Sequence, residues 1–208
     1  MRNLPNILSV SRLIATVLVF ILVLVNQPWA FLVATLLFFL ASVTDLFDGY
    51  LARRMKVVSS IGVFLDLTAD KVFVSAILLA LIQIALVPAW VGFIIITREF
   101  VVAGLRSMAA AKGTVISAGK WGKQKTFITL VALGGILLAK GLGARYLSLF
   151  PLMLTFNSQT VHVSDILLLI ADVLVLVATL WTIFSGVEYI LGARSLFTDP
   201  VDAARKEN

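Results

Sequence analysis

Apolar residues run along this chain in long unbroken stretches, and polar residues gather in the short breaks between them. Six stretches, at about 8–25, 30–54, 61–86, 87–111, 123–140 and 164–191, each reach membrane-helix length. Such a helix needs roughly 17–25 mainly apolar residues to cross a hydrocarbon core about 30 Å thick. Asn26-Gln27-Pro28 divides the first stretch from the second, and Pro88 marks the junction of the third and fourth. The segment 140–163 is apolar and aromatic but interrupted by Pro151, which predicts an interfacial or re-entrant piece. The pattern predicts an all-α polytopic membrane protein with six transmembrane helices. A transmembrane β-barrel would instead show ten-residue alternating segments.

Composition agrees with the pattern. Of 208 residues, 61% are hydrophobic and 13% charged, and the mean hydropathy is +1.06. A soluble domain is nearer half apolar and a quarter charged, so a soluble globule, a coiled coil and a disordered chain are excluded. The chain reads as one membrane domain over 1–208, with a short amphipathic N-terminal segment and a polar tail at about 192–208. The N-terminal run resembles a signal peptide but is followed by further apolar segments, so it reads as a retained first span.

Charge sets the topology. With six spans both termini share one side, and of 17 Lys and Arg only Lys140 and Arg145 fall on the other. This bias predicts cytoplasmic termini, so the net charge of +6 reads as a topology signal and not as nucleic-acid binding. The chain has no cysteine, and His162 is its only histidine. Disulfides, thiolate sites and His-rich metal centres are thereby excluded.

Four of the eleven acidic residues lie between Asp45 and Asp70. Only about fifteen residues, Ala30 to Thr44, precede Asp45 in the second stretch, roughly 22 Å of helix. The third mirrors it after Asp70, so carboxylates on two adjacent helices sit at or just inside the cytoplasmic boundary. Ionisable groups at that depth are costly and functional by default. Asp45 and Asp48 are three apart and Asp66 and Asp70 four apart, so each pair shares a helix face. Such a cluster repels itself unless cations neutralise it. Oxygen donors without His or Cys point to Mg²⁺ or Mn²⁺, in a site suited to two ions.

The full pattern is Asp45-x2-Asp48-Gly49-x2-Ala52-Arg53-x8-Gly62-x3-Asp66-x3-Asp70. It resembles the signature of the CDP-alcohol phosphatidyltransferase family, with every fixed position and spacing intact. The resemblance implies a six-helix membrane fold with a cytoplasm-facing active-site cavity and a homodimeric assembly. It also implies that Asp45, Asp48, Asp66 and Asp70 ligate the metals, with Asp70 also the general base. Gly49, Ala52, Arg53, Ser59 and Gly62 then line the CDP donor, Gly49 and Gly62 by allowing close approach.

The motif leaves the acceptor open, and the basic residues at 97–126 narrow it. Arg98 and Arg106 lie inside an otherwise apolar helix, roughly on one face, and Lys123 and Lys125 open the next helix at similar depth. These four cations suit a phosphomonoester, with Glu99 available to pair with one of the arginines. The run Thr97-Arg98-Glu99, Gly104-Leu105-Arg106 and Gly122-Lys123-Gln124-Lys125-Thr126 resembles the glycerol-3-phosphate-accepting branch of the family. The expectation is phosphatidyl transfer from CDP-diacylglycerol to sn-glycerol 3-phosphate with release of CMP, in a bacterial cell membrane. Inositol phosphate or phosphatidylglycerol is the alternative acceptor, and a divalent-cation transporter is the alternative from another class. His162 reads as a loop residue on the far side, and Asp172 as a hydrogen-bonding residue in helix packing.

Overall fold

The computed structural model describes residues 4–55, 60–112, 120–145, 147–150, 153–154 and 162–193; side chains at 4–8, 45–55, 60–67, 120, 121, 123, 147, 153 and 154 are outside the description. Among the described residues, six helices follow in order: α1 Leu4–Val25, α2 Pro28–Met55, α3 Ser60–Gln83, α4 Ala89–Ala111, α5 Lys120–Gly141 and α6 Val163–Gly192. All six predicted stretches are therefore helical. At 1.5 Å per residue each is longer than about 30 Å. By apolar length and composition, α6 passes as a membrane-crossing helix among the described residues, and shorter apolar runs occupy Ser9–Val25 and Pro28–Thr44.

The ends are set by local chemistry. The third stretch was expected to reach residue 86, but α3 stops at Gln83. Ala85 takes a left-handed conformation, φ 57°. Its N–H donates to Ile82 O at 2.9 Å, and Leu86 N–H donates to Leu81 O at 2.9 Å. This paired closure satisfies carbonyls that a helix end leaves open. Gly143, φ 89°, closes α5 in the same way, with Ala144 N–H on Ala139 O and Gly143 N–H on Lys140 O. Pro88 then caps α4 from an extended conformation.

Cross-helix contacts fix the register. Leu32 and Phe38 of α2 lie against Gly141 and Gly134 of α5, so these helices run antiparallel. Gly135 meets Ala171 of α6. Phe38 and Phe73 stack with centroids 5.3 Å apart and planes 16° apart, joining α2 to α3. Around this stack lies the apolar core, which includes Phe31, Ile77, Leu81, Val91, Leu133 and Ile136. The end of the bundle carrying the chain start, the α2–α3 link and the end of α6 is the motif end; the other is the far end.

At the far end the chain departs from an all-helical reading. Leu147–Ser148 pairs antiparallel with Met153–Leu154 in a minimal hairpin. Asp172 holds it: one carboxylate oxygen accepts from Ser148 Oγ and from Leu149 N–H, both at 2.8 Å. Asp172 stands nine residues into α6, about 14 Å from that helix's start. The segment expected to be interfacial or re-entrant thus reaches inward along α6 at residues 147–150; residues 146, 151–152 and 155–161 lie outside the description. Asp172 is the packing residue that its place in the sixth stretch suggested. His162 precedes α6, where its N–H donates to Asp165.

The surface inverts the usual order of polarity. On α1, Ser9, Arg12 and Thr16 are buried, whereas Val10, Ile14 and Val17 are exposed. Elsewhere Leu36, Phe93, Phe127 and Leu180 also face outward, each about 60–70% exposed. An alanine at a left-handed helix end costs roughly 1 kcal/mol that glycine avoids. Ala85→Gly should therefore stabilise the fold by about that amount, read as a higher midpoint in a denaturant titration in detergent.

Candidate active site

The two halves of the acidic motif lie on α2 and α3, and the phenylalanine stack sets them level. Asp45 lies seven positions after Phe38, and Asp66 seven positions before Phe73. Both positions therefore lie about 10 Å from the stack toward the motif end. Asp48 is one turn further out, and Asp70 one turn nearer the stack. Asp45, Asp48, Gly49, Ala52, Arg53, Gly62 and Asp66 are placed by helical backbone alone, and Ser59 lies outside the described residues. Asp70 is half-buried.

Antiparallel α5 brings its basic start to the same level. Lys125 is nine residues before Gly134, which touches Phe38, and so lies about 13 Å out in the same direction. Its side chain is almost fully buried and pairs with Glu99 of α4. Glu99 also pairs with Arg98, at 3.1 Å from Nη1. Arg98 then reaches α6, where Nη2 donates to Ser185 Oγ at 3.2 Å. The Asp70 carboxylate is close enough for its charge to act on Lys125. Residues of α3, α4, α5 and α6 thus meet in one charged interior layer.

Glycine makes room for this layer. A Cβ on Gly186 of α6 would lie 3.1 Å from Arg98 Cγ, and one on Gly122 of α5 would lie 3.9 Å from Arg98 Nη2. The arginine stem crosses α6 where that helix has no side chain. Hydroxyls nearby are mostly satisfied within their own helices: Thr129 donates to Lys125 O at 2.9 Å and Thr182 to Ala178 O at 2.6 Å. They fill polar space without needing further partners.

The four cations grouped by the sequence do not share one location. Arg98 and Lys125 join through Glu99, whereas Arg106 is exposed two turns further along α4. Its Nε donates to Tyr189 Oη at 3.1 Å, and its guanidinium carbon lies 5.5 Å from that ring's centroid. The side chain of Lys123 is outside the description. Sequence reading missed that Glu99 bridges both cations, and it did not single out Ser185. An acid beside an arginine inside an apolar run was the available signal for Glu99. Nothing local marks Ser185.

The sequence profile of the CDP-alcohol phosphatidyltransferase family matches residues 2–181. The chain belongs to that family. Among its relatives is a Bacillus subtilis protein named CDP-diacylglycerol–glycerol-3-phosphate 3-phosphatidyltransferase, 40% identical over 151 residues, or 66% of this chain and 78% of the relative. Proteins of the same name from Rickettsia bellii and Haemophilus influenzae are 32% and 33% identical. The first match covers 94% of this chain and 97% of the relative, the second 96% and 97%.

Removing one partner from a buried ion pair costs about 3 kcal/mol, because the other charge is left uncompensated. Glu99→Leu, which leaves both Arg98 and Lys125 without a carboxylate, should lower stability by about that amount in a denaturant titration in mixed micelles. The double variant Glu99→Leu/Lys125→Met should recover part of the loss, since only Arg98, still bonded to Ser185, then lacks an acid. A double variant no more stable than the single one would show that the pair is not energetically coupled.

Proposed function

We propose that this chain transfers the phosphatidyl group of CDP-diacylglycerol to the 1-hydroxyl of sn-glycerol 3-phosphate, releasing CMP. Matches to enzymes of that name over nearly the full chain support the reading. The observation that carries it in the structure is the level meeting of the acidic motif with a buried basic pair. The proposal includes six membrane spans with the motif end cytoplasmic, and the homodimer that the family resemblance implies. An apolar exterior around buried polar groups supports the membrane placement.

The motif's donor set fits hard divalent cations. It offers four carboxylates, no thiolate is present, and the sole imidazole belongs to the far end. Asp45, Asp48, Asp66 and Asp70 would hold Mg²⁺ or Mn²⁺, with two ions the proposed number. Bound there, the ions neutralise the donor's pyrophosphate and make its CMP portion a better leaving group.

The remaining work falls to the chain. Arg53 and Ser59, with the small residues Gly49, Ala52 and Gly62, receive the CDP group, while the diacyl tails stay in the bilayer. Arg98 and Lys125 hold the acceptor phosphate, with Arg106 toward the solvent side and Lys123 a further candidate cation on α5. The acceptor hydroxyl attacks the phosphorus that bears the diacylglycerol. A new O–P bond forms, the P–O bond to CMP breaks, and the hydroxyl proton passes to a carboxylate oxygen of Asp70. With no cysteine in the chain, a single direct displacement is the simplest route.

Purified protein incubated with CDP-diacylglycerol, Mg²⁺ or Mn²⁺ and a panel of acceptors should release CMP with glycerol 3-phosphate. Chelation should stop release, and added metal should restore it. Release only with inositol phosphate or phosphatidylglycerol would replace the acceptor; no metal-dependent release with any acceptor would overturn the enzyme reading and reopen transport. Asp70→Asn should lower turnover by about 100-fold or more, the usual contribution of a positioned base. Turnover close to the unsubstituted rate would remove Asp70 from that role.

A further inference from the structure

We infer that Glu99 is the positioning residue of the acceptor site: it yokes Arg98 and Lys125 into one preorganised receptor for a phosphomonoester. This rests on the acceptor proposed above and concerns a residue that does not itself touch the substrate. Arg98 comes from α4 and Lys125 from α5, and both are largely withdrawn from solvent. Two like charges in a poorly screened interior push their side chains apart. Glu99 counters this by accepting from Arg98 Nη1 and from Lys125 Nζ through the same oxygen, Oε1. One carboxylate oxygen thereby sets the separation of the two cations.

The donors left over are what an oxyanion needs. A guanidinium carries five N–H donors and an ammonium three. Glu99 and Ser185 engage Arg98 through Nη1 and Nη2, and Arg98 Nε is buried with no hydrogen-bond partner. Two cations against one carboxylate leave the trio with net positive charge. The Arg98 stem is confined as well, since Gly186 admits it and any larger residue there would press on Cγ. Arg98 is held at its stem by α6, at one nitrogen by Ser185 and at another by Glu99. A phosphate entering this layer meets donors already ordered, and binding then costs less conformational freedom.

The arrangement also accounts for an acid beside a site for anions. A carboxylate repels phosphate, so its presence among the cations is unfavourable for binding by charge alone. It is favourable if it fixes where the cations stand. Neutralising Glu99 should consequently weaken acceptor binding even though it adds positive charge, and simple electrostatic attraction predicts the reverse.

Glu99→Gln keeps the shape and an accepting oxygen while removing the charge. It should raise the KM for glycerol 3-phosphate about tenfold or more with the KM for CDP-diacylglycerol little changed, while the unfolding midpoint falls because buried Lys125 loses its charged partner. Glu99→Asp should restore part of the acceptor KM. A parallel rise in both KM values, or a fall in kcat alone, would assign Glu99 a structural role and overturn the inference. A turnover-free arm separates this from failure of the proposed reaction. Inorganic phosphate should raise the unfolding midpoint of the unsubstituted protein and do so less for Glu99→Gln. Equal shifts, or none in the unsubstituted protein, would also overturn it. If phosphate protects the unsubstituted protein as expected but glycerol 3-phosphate supports no CMP release, the acceptor assignment fails and the yoked anion site stands.

Discussion

A charge withdrawn from water must be met by another charge or by hydrogen bonds, and three helices of this bundle meet that demand together in one layer. Glu99 accepts from both Arg98 and Lys125, and through Arg98 the layer extends to Ser185 of α6. Three helices are thereby tied together at a depth where apolar packing alone would specify no particular register. Other local features follow from that requirement. Gly186 is small because the arginine stem passes over it, and Thr129 and Thr182 turn their hydroxyls back on their own helices. Where the polar layer ends, the close-packed core around Phe38 and Phe73 begins.

That division separates two tasks. The far end combines aliphatic packing, two glycine- or alanine-terminated helix ends and a hairpin pinned by Asp172. The motif end carries the chemistry-bearing residues on the extensions of the same helices. Groups held on helices are positioned more reproducibly than groups on loops. The equal seven-residue steps from the phenylalanine stack to Asp45 and to Asp66 turn a packing contact into a register for the motif.

Much of this was legible in the sequence because helix length and apolar run length are set by the same residues. Six runs gave six helices, and the four-residue step from Asp66 to Asp70 is a helical step on α3. The missed elements depend on distant partners. Ala85 ends α3 through a left-handed conformation that alanine seldom adopts, so composition offered no warning. The hairpin at 147–154 is held by an aspartate more than twenty residues away. Arg98 and Arg106 are eight apart, which leaves them about 80° from alignment on a helix. That difference is enough to send one into the interior and the other onto Tyr189. Glu99 bridging two cations is a tertiary fact, and Lys125 is twenty-six residues away.

The placement of charge also bears on the proposed direct transfer. Acids of the motif stand on α2 and α3, while the cations bridged by Glu99 stand on α4 and α5. If the acids hold the donor through divalent ions and the cations hold the acceptor phosphate, the two substrates approach from different helix pairs. Their reacting atoms must then meet at the seam between the pairs. Asp70 occupies that seam: it is the motif acid nearest the packed core, and its charge reaches Lys125. A base for the acceptor hydroxyl has to border both substrates, and Asp70, whose charge acts on Lys125, meets that condition on the basic side.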